Sequence, residues 1–207
     1  LWACCCFIHF VAVLYFYLPD FQRDKMKYLG VDVARMGNDY SVITVVEEFE
    51  NIYTVNRIEF YSKIELMQLV GWVKLIADEE KPDKIMVDVI GVGAGVHDRL
   101  KEMGLPVIAV NVAEKPTRES DKFLNKKSEM YWNLRKLFEG GTIKIKKSKN
   151  HEKLVAELSV MKFEFSSGKL KIKDPDKSPD FADSLALACF GPTVSAQKLG
   201  AAMVDIW

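Results

Sequence analysis

The sequence predicts an α/β domain, a mixed sheet of five or more strands flanked by helices, with an additional basic β-hairpin. Three observations carry that reading. From Tyr28 to Tyr61 three strand-like segments, the second β-branched and the third alternating well, follow one another with only turns between them, as in an antiparallel meander. After a stretch of helical spacing, Lys84–Ile90 is almost wholly apolar, as expected of a strand buried on both faces. Near the end, Met161–Phe165 and Lys169–Lys173 flank Ser166-Ser167-Gly168, a hairpin signature with lysines on both arms.

In the first strand Leu29, Val31 and Val33 face one way and Gly30, Asp32 and Ala34 the other. Asp32 therefore lies mid-strand among apolar residues, where a carboxylate is costly unless a cation compensates it. The turn Arg35–Asp39 is rich in residues that tolerate positive φ, and Tyr40–Val46 is β-branched enough to be the return strand. Asn51–Tyr61 is the third strand. Apolar residues from Ile64 to Ala77 recur at helical spacing until Pro82 stops the chain. Asp88 then interrupts the buried strand near its end.

Gly91-Val92-Gly93-Ala94-Gly95 leads into a helix over Val96–Met103. A dinucleotide fingerprint needs glycine at position 96 and finds Val96, so the glycines point instead to close approach of the backbone to a neighbour or substrate. His97 has no second histidine or cysteine near it and is expected at the surface. Leu105–Val110 reads as a fifth strand, Asn111–Lys122 as a long basic loop, and Asn125–Glu139 as a helix ended by Gly140-Gly141. Thr142–Lys146 suits an edge strand and Glu152–Val160 a helix. The last helix is expected to start with Ser178 as its N-cap and Pro179 in its first position. Asp180 and Asp183, three residues apart, share one face of its first turn.

The 207 residues, 49% hydrophobic and 28% charged, suit a single domain with a sizeable core. A formal net charge of zero hides an asymmetry: Lys115–Lys173 holds 16 Lys/Arg against 7 Asp/Glu, an excess of nine that can attract a polyanion. Leu1–Leu18 is apolar apart from His9, yet lacks the basic start and cleavage site of a signal peptide. We read residues 1–27 as a remnant or non-native segment in preference to a membrane anchor, 28–191 as the folded domain and 192–207 as a tail, with no membrane partner favoured. Contiguous Cys4, Cys5 and Cys6 fit neither zinc nor a disulfide framework, and Cys189 reads as a small core residue.

Asp32, Asp88 and Asp183 form the candidate catalytic and metal-binding set, with Asp180 as a further ligand and Asp39 as an accessory. Carboxylates meeting at one site raise one another's pKa unless a cation neutralises them. All-oxygen ligands suit Mg²⁺ or Mn²⁺, and two such ions about 4 Å apart can drive in-line displacement at a phosphodiester. That is nuclease chemistry, and the lysine-rich flank suits a nucleic acid. No Ser-His-Asp or Cys-His set competes with it.

The order of elements resembles the ribonuclease H-like fold. More specifically, YLGVDVARMGNDYSVI, MVDVIGVGAGVHDRL, FLNKKSEMYWNLRKLFEGG and SPDFADSLALA resemble, in order, the motifs of the C-terminal nuclease domain of the large terminase subunit of tailed bacteriophages. The resemblance covers Tyr28 to about Phe190. It implies an endonuclease that cuts concatemeric viral DNA during packaging, in the cytoplasm of a bacterial host, with Asp32, Asp88 and Asp183 as ligands of two Mg²⁺ or Mn²⁺ ions. The implied partners are double-stranded DNA, the phage portal protein, the small terminase subunit and an ATPase domain, since no G-x-x-x-x-G-K-[ST] loop occurs in the chain. In that family the basic loop and hairpin are expected near DNA, which makes Lys122, Lys126, Lys127, Lys169 and Lys171 the DNA-binding candidates. A resolvase or integrase of the same fold, an actin-like ATP-binding domain and a non-catalytic DNA- or portal-docking module are the alternative readings.

Overall fold

The structure is a computed structural model, and it describes residues 25–34, 39–148, 150–173 and 175–191. The expectations for Leu1–Leu18 and for the tail lie outside those residues. Among the described residues no helix is long and apolar enough to cross a membrane.

Strands β1 (Met26–Asp32), β2 (Tyr40–Phe49) and β3 (Ile52–Ser62) form the antiparallel meander. Helix α1 (Leu66–Glu80) leads to β4 (Lys84–Asp88), and α2 (Gly93–Glu102) leads to β5 (Val107–Val110). After a loop come α3 (Lys126–Glu139), β6 (Ile143–Ile145) and α4 (His151–Val160). The hairpin β7 (Lys162–Ser166) and β8 (Lys169–Lys173) and a helix α5 over residues 180–191 are the last of the described elements. The six-stranded sheet has the order β5-β4-β1-β2-β3-β6, with β4 parallel to β1 and β5, and β6 parallel to β3. The mixed sheet and separate hairpin predicted from the sequence are both present.

Period-2 alternation divides the core between the two faces. Leu29, Val31, Ile43, Val45, Ile85 and Val87 pack on α1 and α2, whereas Val42, Val46, Val55 and Met86 pack on α3, α4 and α5. Beyond Ser184 helix α5 is apolar on every side, since it packs between the sheet and α3 and α4. Along residues 180–191 every residue except Asp183 is buried.

Gly30 explains how close α5 comes. A Cβ on Gly30 would stand 2.0 Å from the Ser184 carbonyl oxygen and 2.6 Å from the Ala188 nitrogen. The Ser184 hydroxyl, in the same contact, reaches both the Gly30 carbonyl and the Thr44 hydroxyl at 2.9 Å, so the buried polar atoms there are partnered. Buried Cys189 is a free thiol whose pKa burial pushes up to about 12, as a core residue should show.

Several boundaries differ from expectation for local reasons. Asp32 ends β1 rather than lying mid-strand, which puts the acid at the carboxyl edge of the sheet. Helix α2 starts at Gly93, three residues before the expected start, and a Cβ there would be 1.8 Å from the Asp88 carbonyl oxygen. Close backbone approach is therefore what that glycine provides. In α5 the Pro179 carbonyl accepts the first helical bond, from the Asp183 N–H at 2.8 Å, so Pro179 is the capping residue and Ser178 instead bonds the Asp180 carboxylate.

Candidate active site

Parallel pairing of β1 with β4 places the first two acids. Val31 is registered with Val87, so Asp32 and Asp88 follow side by side at the carboxyl ends of adjacent strands. Crevices at such strand ends are where open α/β sheets bind ligands. The third acid arrives on α5. Gly30 lies two residues before Asp32 on the same face of β1, and Ser184, docked on Gly30, immediately follows Asp183.

The electrostatics record the meeting of these groups. The Asp32 carboxyl is held well above the usual carboxylate range, first by burial and then by repulsion from Asp183, Asp180 and Asp88. Burial is also the leading cause for Asp88, which is raised further by Asp183 and pulled back by the Ile90 N–H on its Oδ1 at 3.1 Å. Asp183 accepts from the Lys127 ammonium at 3.1 Å and from the Tyr131 hydroxyl at 2.7 Å. Lys127 also lowers both Asp32 and Asp88, so its charge lies among all three acids. Lys127 and Tyr131 are four apart on α3, which puts them on one helix face. Burial and Asp183 together push the Tyr131 phenol well above its ordinary value, keeping it a hydrogen-bond donor.

The accessory acids differ. Asp180 is buried, and its Oδ2 takes the Tyr40 N–H at 2.7 Å, so it fixes the start of β2 while adding negative charge near Asp32. Asp39 is exposed and acts on Asp180 through space. Glu157 on α4 is a member of this acidic region that the sequence reading missed. Its Oε2 accepts the Phe181 and Ala182 N–H groups at 2.8 and 3.0 Å, closing the start of α5, and burial raises its pKa to about 7. Tyr131 was missed as well. Its signal was a polar-tipped ring within the apolar stripe of α3.

Of the predicted DNA-binding lysines, Lys127 turns inward onto Asp183. Lys122 pairs with Glu119 at 3.0 Å and Lys126 with Glu114 at 2.9 Å, while Lys171 stands 4.0 Å from Glu164. Lys169 donates to the Ser120 carbonyl at 2.7 Å and helps tie the hairpin to the basic loop. The loop and hairpin are joined further by backbone bonds from Leu124 to Leu170 and from Leu170 to Lys122.

The donor chemistry fits a hard divalent ion: Asp32, Asp88 and Asp183 offer only carboxylate oxygens, and with Asp180 they set four acids around the ammonium of Lys127. Among the described residues, no three His, Cys, Asp or Glu side chains already converge as a cage. Asp183 has its two oxygens turned to Lys127 and Tyr131.

No family model matches the chain, and no curated protein does. Solved structures do. The nuclease domain of the large terminase subunit gp2 of bacterial virus Sf6 superposes with a TM-score of 0.66 at 22% identity, over 79% of this chain and 87% of that one. A mutant of the same domain with manganese and β-thujaplicinol gives 0.67 at 22% identity with the same coverage. The large terminase nuclease of thermophilic phage G20c, with magnesium, gives 0.62 at 20% identity over 82% and 83%. The fold is that of a terminase nuclease domain. At these identities the likeness is one of architecture, and within the terminase-nuclease fold of this chain the acids on β1, β4 and α5 lie at the carboxyl edge of the sheet.

Proposed function

We propose that this chain is a divalent-metal-dependent endodeoxyribonuclease, the nuclease domain of a phage large terminase subunit that cuts concatemeric DNA during genome packaging in the bacterial cytoplasm. The observation that carries this reading is the gathering of Asp32, Asp88 and Asp183, from three separate elements, around Lys127 in a terminase-nuclease fold. Asp32, Asp88 and Asp183 would hold Mg²⁺ or Mn²⁺, with Asp180 close by. Two such ions, once bound, would supply the Lewis acidity for in-line displacement at a phosphodiester.

The chain's own residues do the rest. Tyr131 orients Asp183 through Oδ1, leaving Oδ2 to Lys127. Lys127 neutralises part of the acidic cluster and stands ready to meet phosphate charge once the acids are otherwise compensated. Asp180 keeps β2 and α5 together, so that Asp32 and Asp183 stay adjacent. Double-stranded DNA is the substrate, and the portal, the small terminase subunit and an ATPase domain are the partners that this function requires.

The test is incubation of the 207-residue chain with supercoiled plasmid in Mn²⁺, Mg²⁺ or EDTA, beside Asp32→Ala and Asp183→Ala. Metal-dependent nicking that both substitutions abolish is expected. Undiminished nicking by Asp32→Ala overturns the assignment, and cutting confined to branched DNA would move the chain to the resolvase class.

A further inference from the structure

The lysines predicted from the sequence to grip DNA are largely spent on carboxylates within the protein, as described above. Two others are not. Among the described residues Lys153 on α4 and Lys177, in the segment before α5, make no ion pair and are exposed. Both rest on aromatic rings. The Lys153 ammonium lies 3.7 Å from the Phe60 centroid, 4.9 Å from that of Tyr40 and 5.5 Å from that of Phe181. The Lys177 ammonium lies 5.5 Å from the same Tyr40 centroid. The two cations are therefore no farther apart than the sum of their distances to that ring, a span that one phosphate or two neighbouring phosphates of a strand can bridge.

They line a cavity of about 300 Å³, with Tyr40, Glu157, Ser178 and Phe181 also in its walls. The cavity adjoins the acids through Tyr40, whose N–H is held by Asp180, and through Phe181, in the same turn of α5 as Asp183. Glu157 does not cancel the lysines, because its Oε2 is turned to the N–H groups of Phe181 and Ala182 at the positive end of α5. A cation resting on rings is held in place yet keeps its full charge for an incoming anion, unlike one paired with a carboxylate.

We propose that Lys153 and Lys177 form a phosphate clamp that holds the DNA backbone on the α4 side of the acidic site. This rests on the nuclease reading and adds to it the path of the strand past α4 and the start of α5. The clamp carries no base readout, since phosphate contacts position a duplex without reading its sequence.

The experiment measures binding of a fluorescent DNA duplex to the 207-residue chain in EDTA over a series of salt concentrations. Each phosphate contact adds about 0.9 to the slope of log affinity against log salt. Lys153→Gln and Lys177→Gln should each lower the slope by about 0.9, and the double variant by about twice that. Lys153→Arg and Lys177→Arg should restore it, whereas Lys101→Gln, on the exposed face of α2, should leave it unchanged. Melting temperatures of the glutamine variants, together with arginine rescue, separate lost charge from lost packing on Phe60.

A double variant with an unchanged slope overturns the clamp, as does a parent chain that binds no DNA. Plasmid nicking by the parent chain separates the two readings. Nicking with an unaltered slope in the double variant removes the clamp and keeps the nuclease. A lysine-dependent slope without nicking in any metal keeps the clamp and removes the nuclease.

Discussion

Replacing Gly30 with alanine should damage both the stability and the chemistry of this protein, because that glycine sets the distance between β1 and α5. The new Cβ would stand 2.0 Å from the Ser184 oxygen and 2.6 Å from the Ala188 nitrogen, both backbone atoms that no rotamer change can move. Restoring ordinary contact requires α5 to retreat by more than about 1 Å, and such overpacking costs about 1–3 kcal/mol. The retreat also strains the Ser184 hydroxyl bonds to Gly30 and Thr44, and a buried polar group left without its partner costs about 1–3 kcal/mol more. A total near about 4 kcal/mol corresponds to a fall in Tm of about 10 °C for a chain of this size. Asp183 moves with the helix, and a displacement of about 1 Å at a reacting group can reduce the rate by about 10²-fold.

Thermal unfolding followed by circular dichroism, with nicking rates measured well below both transitions, reads the two effects separately. Gly71→Ala is the control. Gly71 lies inside α1, and nothing stands within 4 Å of the place its methyl group would take, so alanine there should stabilise by about 0.5–1 kcal/mol. A Gly30→Ala protein that melts and nicks like the parent would refute the packing of α5 on β1 and, with it, the route by which Asp183 reaches Asp32.

Three further outcomes follow from the charges. Asp32→Asn should abolish nicking yet raise the Tm of the metal-free protein above neutral pH by relieving repulsion among the acids, whereas Asp180→Ala should destabilise the fold by about 1–3 kcal/mol by stripping the Tyr40 N–H of its acceptor. Lys127→Met removes the cation among the acids, so the metal-free Tm above neutral pH should fall and Mg²⁺ or Mn²⁺ should restore more stability to the variant than to the parent. Glu157 binds its proton more tightly in the folded chain than in the unfolded one, so its favourable contribution is complete below about pH 4.5 and is lost as pH rises toward about 7. With its solvent contact discounted this amounts to about 1–2 kcal/mol, and Glu157→Gln should flatten the Tm profile across that window.

What the sequence made legible was whatever depends on local periodicity. Alternation in β1 separated Leu29 and Val31 from Gly30 and Asp32, and the structure places those pairs on opposite faces of the sheet. Helical spacing placed Asp180 and Asp183 in one turn, although their roles part: Asp180 binds a strand N–H, and Asp183 faces the acids. The pairings that reading missed join distant segments. Lys127 and Tyr131 lie 56 and 52 residues before Asp183, and only the docking of α3 on α5 makes them its partners. Lysine on a basic helix gives no local sign of which way it turns. Glu157 did leave a trace, as an acid between Leu154 and Leu158 on the inner stripe of α4, but the N–H groups it accepts belong to a helix 24 and 25 residues further on.

The first two turns of α3 tie the parts of this site together. Asn125 caps the helix by accepting the Ser128 N–H at 3.0 Å, and the Ser128 hydroxyl accepts the Ile172 N–H of the hairpin at 3.0 Å. Buried Glu129 accepts the N–H groups of Thr117 and Arg118 and so holds the basic loop. Lys127 and Tyr131, from the same two turns, bind Asp183. Loop, hairpin and acid cluster thus share one short length of helix, and the hydrogen bonds that place the lysine-rich surface also place the ammonium among the carboxylates. Disturbing that turn should then reach the acids without touching them: Ser128→Ala leaves every carboxylate in place, but it orphans the buried Ile172 N–H at a cost of about 1–3 kcal/mol and loosens the helix that carries Lys127. A loss of stability accompanied by a change in the metal concentration needed for nicking is the expected result. A loss of stability with an unchanged metal requirement would show that the hairpin and the acid cluster are anchored independently.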